Sequence, residues 1–507
     1  MEKENMKNMN QLLRSCLVWI IASIIIFSTI ILVIFWFTNI FHDAIMTELQ
    51  IKNGTNFFDV WQRPSVRVQY KIHLFNYTNV DDFENNRAKK LKIEDIGPYI
   101  YRETLQRVNP IFHKNGTISY QEVRSYQWEG GRSDEEILVV PNFLLFAAMA
   151  YLRDYTFVYH ITLTTILLGL RAKRFLKLSA GEYLWGYDDE LFNYGKPFIS
   201  MKQHIPFDKF GLLALKSGLS NDRFTINTGE MDMDKLGIIE RFNGMESRNV
   251  WGDEECDKIT GTDGSLFPPR LVRDPNATLH IYLKEMCRTV PLKFHSHASA
   301  QGIPTQRYVL EDDIFTASET KNYCFCEKSE DDDKKVSKKS GLCPPMGVFN
   351  ASACNFGMPT LTSFPHFYQG DKSLIEQFDG LKPQKELHES FIDLHPHLGV
   401  PIGGHSRIQL NLEARKAAGV PYFGNMKDGM ILPLMWMEAS IENIPEPVHN
   451  LLSHAYYTVN IIDQTFKWGS IISLILSIAT LYHLLRKKQL DDHIVLHRNT
   501  SGQNPLL

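Results

Sequence analysis

Seven cysteines carry the most reactive side-chain chemistry of the 507-residue chain, and their spacing sets one apart from the rest. Cys256, Cys287, Cys324, Cys326, Cys343 and Cys354 fall between positions 256 and 354, whereas Cys16 stands alone near the N-terminus. An even, clustered set of thiols in an oxidising compartment makes disulfides, and three bridges among six cysteines allow 15 connectivities. Cys324 and Cys326 are too close for an unstrained mutual bond, which shortens that list without settling it. The competing chemistry is metal binding. Cys324-Phe325-Cys326 is C-x-C, not the C-x₂₋₄-C of structural zinc sites. His295-Ser296-His297 and His395-Pro396-His397 could offer ligands, but one face of a strand produces the same alternation. No metal and no cofactor is expected. Cys16 borders an apolar run, where a thiol is a candidate for palmitoylation.

The catalytic patterns G-x-S-x-G, H-E-x-x-H and G-x-x-x-x-G-K-[ST] are absent. His388-Glu389 is followed by Ser390-Phe391-Ile392, so the second histidine of a zinc protease motif is missing. The expectation is a protein that is not an enzyme. A formal net charge of −4 provides no general basic field for nucleic acid. The chain is 44% hydrophobic and 22% charged, a globular mix that excludes a many-span transporter, a collagen or a disordered chain.

The elements that must position these residues begin at the ends. Positions 16–38 hold no charge, and as a helix they reach roughly 34 Å, enough to cross an apolar bilayer core. The run is too long for a cleaved signal peptide and lacks a small-residue cleavage site, so it reads as an uncleaved signal anchor. Positions 468–485 form a second run, closed by Arg486, Lys487 and Lys488. Basic clusters beside a span stay cytoplasmic. Lys3, Lys7 and Arg14 put residues 1–15 on that same side, together with 486–507, leaving 39–467 extracellular or lumenal. N-x-[ST] triplets at Asn53, Asn76, Asn115, Asn276 and Asn350 fit that side as N-glycosylation sites. They lie on both sides of the apolar stretch 143–170, which argues that this stretch is not a third span.

Within 39–467, alternating runs such as 66–75, 99–108, 278–283 and 407–415 read as half-buried strands. Gly97-Pro98, Gly302-Ile303-Pro304 and Gly380-Leu381-Lys382-Pro383 punctuate them as turns. Helical signal concentrates in 142–177, opened by Pro141-Asn142 and rich in alanine. That segment ends with Arg171, Lys173, Arg174 and Lys177 among apolar residues, a basic patch able to concentrate anions. Glu327–Lys339 is a charge run between two cysteines and reads as a solvated loop.

Taken in order, these stretches resemble the class B scavenger receptor family, whose members include fatty acid translocase, a lysosomal integral membrane protein and sensory neuron membrane proteins. The matching residues are Ile96-Gly97-Pro98-Tyr99-Ile100-Tyr101-Arg102, Leu184-Trp185-Gly186-Tyr187, 251–269, Gly302-Ile303-Pro304 with Arg307-Tyr308, and Asn322-Tyr323-Cys324-Phe325-Cys326. Phe364-Pro365-His366-Phe367, Gly380-Leu381 with Pro383, His388, and Asp393, Pro396 and Gly399 continue the match. The resemblance implies a fold that is mainly β with α, a large β-barrel-like ectodomain with a distal helical cap (142–177) and an internal apolar tunnel, anchored by two terminal transmembrane helices. It also implies the pairs Cys256–Cys324, Cys287–Cys354 and Cys326–Cys343. The function it implies is a membrane glycoprotein that binds lipids or lipoproteins at the cap and passes fatty acid, sterol or carotenoid through the tunnel. The alternative is a lysosomal or sensory receptor whose cap binds a protein partner. A homo-oligomer fits the resemblance too. The plasma membrane is the expected location, with the lysosomal or endosomal membrane as the alternative. Leu506-Leu507 gives half of a lysosomal sorting signal, because Gly502 stands where the acidic residue belongs.

Overall fold

The computed structural model describes residues 2–38, 40–202, 208–318, 322–326, 343–355, 357–417 and 419–501. The charge run 327–339 and the Leu506-Leu507 signal lie outside them. The chain divides into two compact units, Met1–Glu48 with Asn450–Leu507, and Leu49–His449.

In the first unit, helices Glu2–Phe37 and Val459–Ser501 contain the two apolar segments long enough to cross a membrane, Leu13–Phe37 and part of Glu446–Leu490. This arrangement fits a two-span topology. The helices pair through a Ser28–Ser473 hydroxyl contact of 2.9 Å, Phe35 stacked on Phe466 at 4.7 Å, and Trp36 edge-on to Trp468 at 6.0 Å. Lipid gives apolar side chains no reason to leave it, so packing of small residues and interhelical hydrogen bonds hold such a pair.

The second unit is built on a 14-stranded sheet. Its strands are β1 (Gln69–Tyr77), β2 (Leu91–Phe112), β3 (Thr117–Gly131), β6 (Gly218–Asn227), β7 (Ile239–Phe242), β8 (Leu279–Leu283), β9 (Arg288–Ala300), β10 (Ile303–Leu310), β11 (Val348–Asn350), β12 (Thr360–Ser363), β13 (Phe378–Asp379), β14 (Phe391–Leu394), β15 (Pro401–Ala414) and β16 (Met430–Ser440). β4 (Ile137–Pro141) and β5 (Phe175–Ser179) form a separate antiparallel pair. The main path runs β7-β6-β3-β2-β1-β16-β15-β14-β10-β9-β8, so the chain's last strand closes onto its first. Every pairing is antiparallel except β13 with β2.

The two end strands, β7 and β8, are linked by one extended segment. Ile239 N donates to Gly261 O at 2.8 Å, Thr262 N to His280 O at 2.9 Å, and Tyr282 N to Thr262 O at 2.9 Å. Closure removes the exposed edges that otherwise invite aggregation. Gly261 sits at φ +82°, and a Cβ there would collide with the His280 carbonyl, so glycine lets the two edges meet. The sheet is thus a nearly closed barrel.

Register fixes which side chains face inward. Tyr70, Ile72 and Leu74 of β1 oppose Ala439, Met437 and Met435 of β16, and this face belongs to the largest buried cluster. Lys71 and His73 point the other way, with Glu438 and Trp436. β16 is buried along nearly its whole length because both of its faces are covered.

The helical insertion is shorter than 142–177. Helices run Phe143–Leu152 and Phe157–Gly169, and Phe175, Leu176 and Lys177 belong to β5. Five residues reading FLKLS satisfy strand alternation once β4 is available as a partner, so tertiary pairing decides. Asn142 ties the insertion shut. Its Oδ1 caps Leu145 N at 3.1 Å, and its Nδ2 donates to Lys173 O at 2.9 Å. Phe143, Leu145, Phe146 and Met149 are buried in the main core, which explains the apolar run without a membrane crossing.

Candidate functional site

The cap presents an apolar surface beside cations. Phe157 and Val158 are each 69% exposed, and Tyr151, Tyr155, Tyr159, Ile161 and Leu168 are exposed with them. The tyrosines form a ladder of rings, Tyr151 to Tyr155 at 5.6 Å and Tyr155 to Tyr159 at 5.2 Å. Exposed apolar patches commonly mark interaction sites. Sequence reasoning weighs the cations and misses these rings, although four aromatic residues at 151–159 carry the signal.

The four cations behave differently. Arg171 and Lys173 are exposed just past the second helix, and Lys177 is exposed on β5. None of these three has an ion pair among the described residues. Arg174 turns inward. Its Nε donates to Glu84 Oε1 at 2.7 Å, and its Nη1 reaches Tyr422 O at 3.3 Å. Its charge is spent within the fold. His160 on the same cap is buried, with Nε2 donating to Leu152 O at 2.8 Å, and so ties one cap helix to the other.

The structure joins Cys256 to Cys324, Cys287 to Cys354 and Cys326 to Cys343, with Cα separations of 6.5, 5.9 and 4.4 Å. The bridges pack against a second core of Trp251, Phe325 and Phe349, in which the Arg288 guanidinium lies 4.5 Å from the Phe325 ring. Asp253 stands beside Cys256 and Cys324, but those sulfurs are bonded to each other and offer no thiolate to a metal. Cys16 is free and exposed on the first long helix. Asn53, Asn115 and Asn276 are exposed, whereas Asn76 and Asn350 are half-buried. The Oδ1 of Asn76 accepts from Val139 N at 2.9 Å, and that of Asn350 from Ser352 N at 3.0 Å.

Outside the barrel wall lies a polar cluster that sequence spacing did not indicate. Asp95 on β2 accepts from His73 Nδ1 at 2.8 Å, His366 Nε2 at 2.8 Å and Trp436 Nε1 at 3.0 Å. His366 and His388 come from the excursion that covers this face, and their rings stack at 4.6 Å. Backbone amides fix both tautomers. Lys382 N donates to His366 Nδ1 at 3.1 Å and Gln384 N to His388 Nδ1 at 2.9 Å, so each ring's proton sits on Nε2. Burial pushes the Asp95 carboxyl up, but the hydrogen bonds from His366 and His73 outweigh it and hold it well below the usual range. Burial, then His366, pushes His388 down to about 4, with Arg407 and His73 adding and Asp95 opposing. The cluster pins the excursion to the barrel.

Several inward side chains are not packed out. Tyr70, Tyr126, Met358, Ile408 and Leu410 contact the main core yet keep accessible surface.

Comparison with known proteins accords with this architecture. Residues 20–484 match the CD36 family profile. The chain is 28% identical to scavenger receptor class B member 1 of Bos taurus over 81% of its length and 77% of the relative's. It is 30% identical to lysosome membrane protein 2 of Rattus norvegicus, covering 82% and 84%. Against lysosome membrane protein 2 of Mus musculus it is 29% identical, covering 91% of each chain. With its two terminal membrane helices, nearly closed barrel and inserted helical cap, the chain belongs to the CD36 family of class B scavenger receptors.

Proposed function

We propose that this protein takes lipid from particles or membranes that land on its cap and passes it through the barrel to the bilayer. The observation that carries the reading is the cap surface, where seven large apolar side chains stand exposed beside Arg171, Lys173 and Lys177. The cations hold an anionic headgroup surface, and the rings enter its apolar layer. The accessible inner face of the barrel then offers an apolar path, and burial of about 0.8 kcal/mol per CH₂ makes nucleotide energy unnecessary. Glycans at Asn53, Asn76, Asn115, Asn276 and Asn350, and an acyl chain on Cys16, complete the proposed membrane glycoprotein.

Each cation near an anionic surface contributes about 1 kcal/mol. The triple variant Arg171→Glu, Lys173→Glu, Lys177→Glu is therefore expected to weaken binding of anionic lipid particles by roughly 100-fold at low salt. Unchanged binding of this variant would remove the cap from the landing step. The second reading is a lysosomal receptor whose cap holds a protein, favoured by the relatives named lysosome membrane protein 2. Imaging a form lacking the C-terminal tail separates the plasma membrane from the lysosome as the working location.

A further inference from the structure

A cleft of about 330 Å³ opens on the barrel unit beside the Cys256–Cys324 bridge. Four stretches of chain build it, 255–260, 288–291, 311–314 and 322–325. Five of its lining side chains are charged: Arg288, Lys258, Glu255, Glu311 and Asp313. Pro291, Ile314 and Phe325 supply apolar wall. Ligand sites run from about 300 to 1,000 Å³, so this one has room for a small molecule rather than a long acyl chain.

Arg288 is the unusual member. It is 4% exposed, yet it forms no ion pair among the described residues. Of its five N–H donors, one on Nη1 is taken by Ile314 O at 2.6 Å. The rings of Phe325 and Phe349 flank the guanidinium at 4.5 and 5.2 Å. Glu311 is held by Lys293 at 2.8 Å. Burial, opposed by Asp313 and Glu311 from a distance, brings the guanidinium down to about 10. A cation buried this far ordinarily sits against a carboxylate. Arg288 instead keeps donors in the wall of a cleft, and the planar fork of a guanidinium matches a carboxylate. Lys258, exposed on the same cleft and without an ion pair among the described residues, adds a second cation.

A bare carboxylate entering here also meets Glu255, Glu311 and Asp313. With Lys293 counted, three cations, Arg288, Lys258 and Lys293, stand against three carboxylates, so the cleft is neutral overall. A molecule that bears both charges complements it best. We infer that the cleft binds a free α-amino acid with an apolar side chain. Its carboxylate lies on Arg288 and Lys258, its ammonium faces Glu255, Glu311 and Asp313, and its side chain packs on Pro291, Ile314 and Phe325. The site is independent of lipid passage and stands whether or not the barrel carries lipid.

The test uses the full-length protein in lipid nanodiscs at neutral pH and equilibrium dialysis of radiolabelled leucine. The competitors are isocaproate, which is leucine without its amine, and isopentylamine, which is leucine without its carboxylate. Saturable binding is expected, and each competitor should displace the label at least tenfold more weakly than unlabelled leucine does. Arg288→Lys keeps the cation but removes the fork, and should weaken binding at least tenfold. Acquisition of mature glycans checks the fold of that variant. Lys258→Ala and Glu255→Gln change exposed side chains, and each should weaken binding several-fold, about as a charged hydrogen bond would. Absence of saturable leucine binding by the parent protein would overturn the site. Displacement by isocaproate as strong as by leucine would reduce the cleft to an anion site and overturn the amino-acid assignment. Binding unchanged in both Lys258→Ala and Glu255→Gln would place the leucine elsewhere and overturn it as well.

Discussion

Replacing Asp95 by alanine is expected to cost the barrel unit about 3 kcal/mol, because the buried His366, the half-buried His73 and the Trp436 indole N–H lose their common acceptor at once. The cluster is the polar tie between the sheet and the excursion carrying His366 and His388. Urea unfolding of the full-length protein, or the fraction acquiring mature glycans in cells, reads the loss. Asp95→Ala within 0.5 kcal/mol of the parent would show that the cluster is not structural. The pH course follows from the same residues. His388 titrates lower in the fold than its unfolded value near 6.5, so the stability of its neutral form is complete above that value and is lost as pH falls towards about 4. Its protonation places a cation against the His366 ring, near Arg407 and His73, with Asp95 as the opposing charge. Asp95 is held below its unfolded value, so its contribution persists throughout that window and fails only in stronger acid. A fall on the order of 1 kcal/mol between neutral pH and pH 5 is expected once solvent screening is allowed for. His388→Asn keeps a side-chain acceptor for Gln384 N and should flatten that slope.

Removing the Cys287–Cys354 bridge is the second large effect. Its partners lie 67 residues apart, and a loop of that length restrains the unfolded chain by about 4 kcal/mol. The bridge also anchors the aromatic core, since Trp251 Nε1 donates to the Cys287 carbonyl at 3.0 Å. The double variant Cys287→Ser, Cys354→Ser is expected to be retained inside the cell with immature glycans. Loss of the Cys326–Cys343 bridge, which spans 17 residues, should cost about 3 kcal/mol by the same entropy argument. Equal surface delivery of the parent and the Cys287/Cys354 variant would contradict this ordering.

Much of the architecture was legible because it rests on local patterns. The charge-free run 16–38, the basic stop at Arg486 to Lys488 and the alternation in β1, β2 and β15 are each contained within a few turns or strands. The end of the cap was not, because Phe175-Leu176-Lys177 becomes a strand only when Ile137–Pro141 lies beside it. Arg174 looked like its neighbours in sequence, and only the distant Glu84 distinguishes it. Barrel closure depends on backbone groups of Gly261 and Thr262, which have no side-chain signature. The histidine cluster joins Asp95 to His366 across 271 positions. His388 entered the sequence reading only as half of a zinc motif and as one point of family likeness, whereas its place in the fold is against His366.

The central claim is that the barrel carries lipid. Ala439 opposes Tyr70 on the inward face, so Ala439→Trp places an indole in the proposed path and leaves the cap untouched. The decisive measurement is mass spectrometry of lipid retained by the purified, glycosylated full-length protein and by this variant, alongside binding of anionic lipid particles. The account predicts bound lipid in the parent, its loss in Ala439→Trp, and equal particle binding by both. Equal lipid content in the two proteins, or an empty parent, would contradict it.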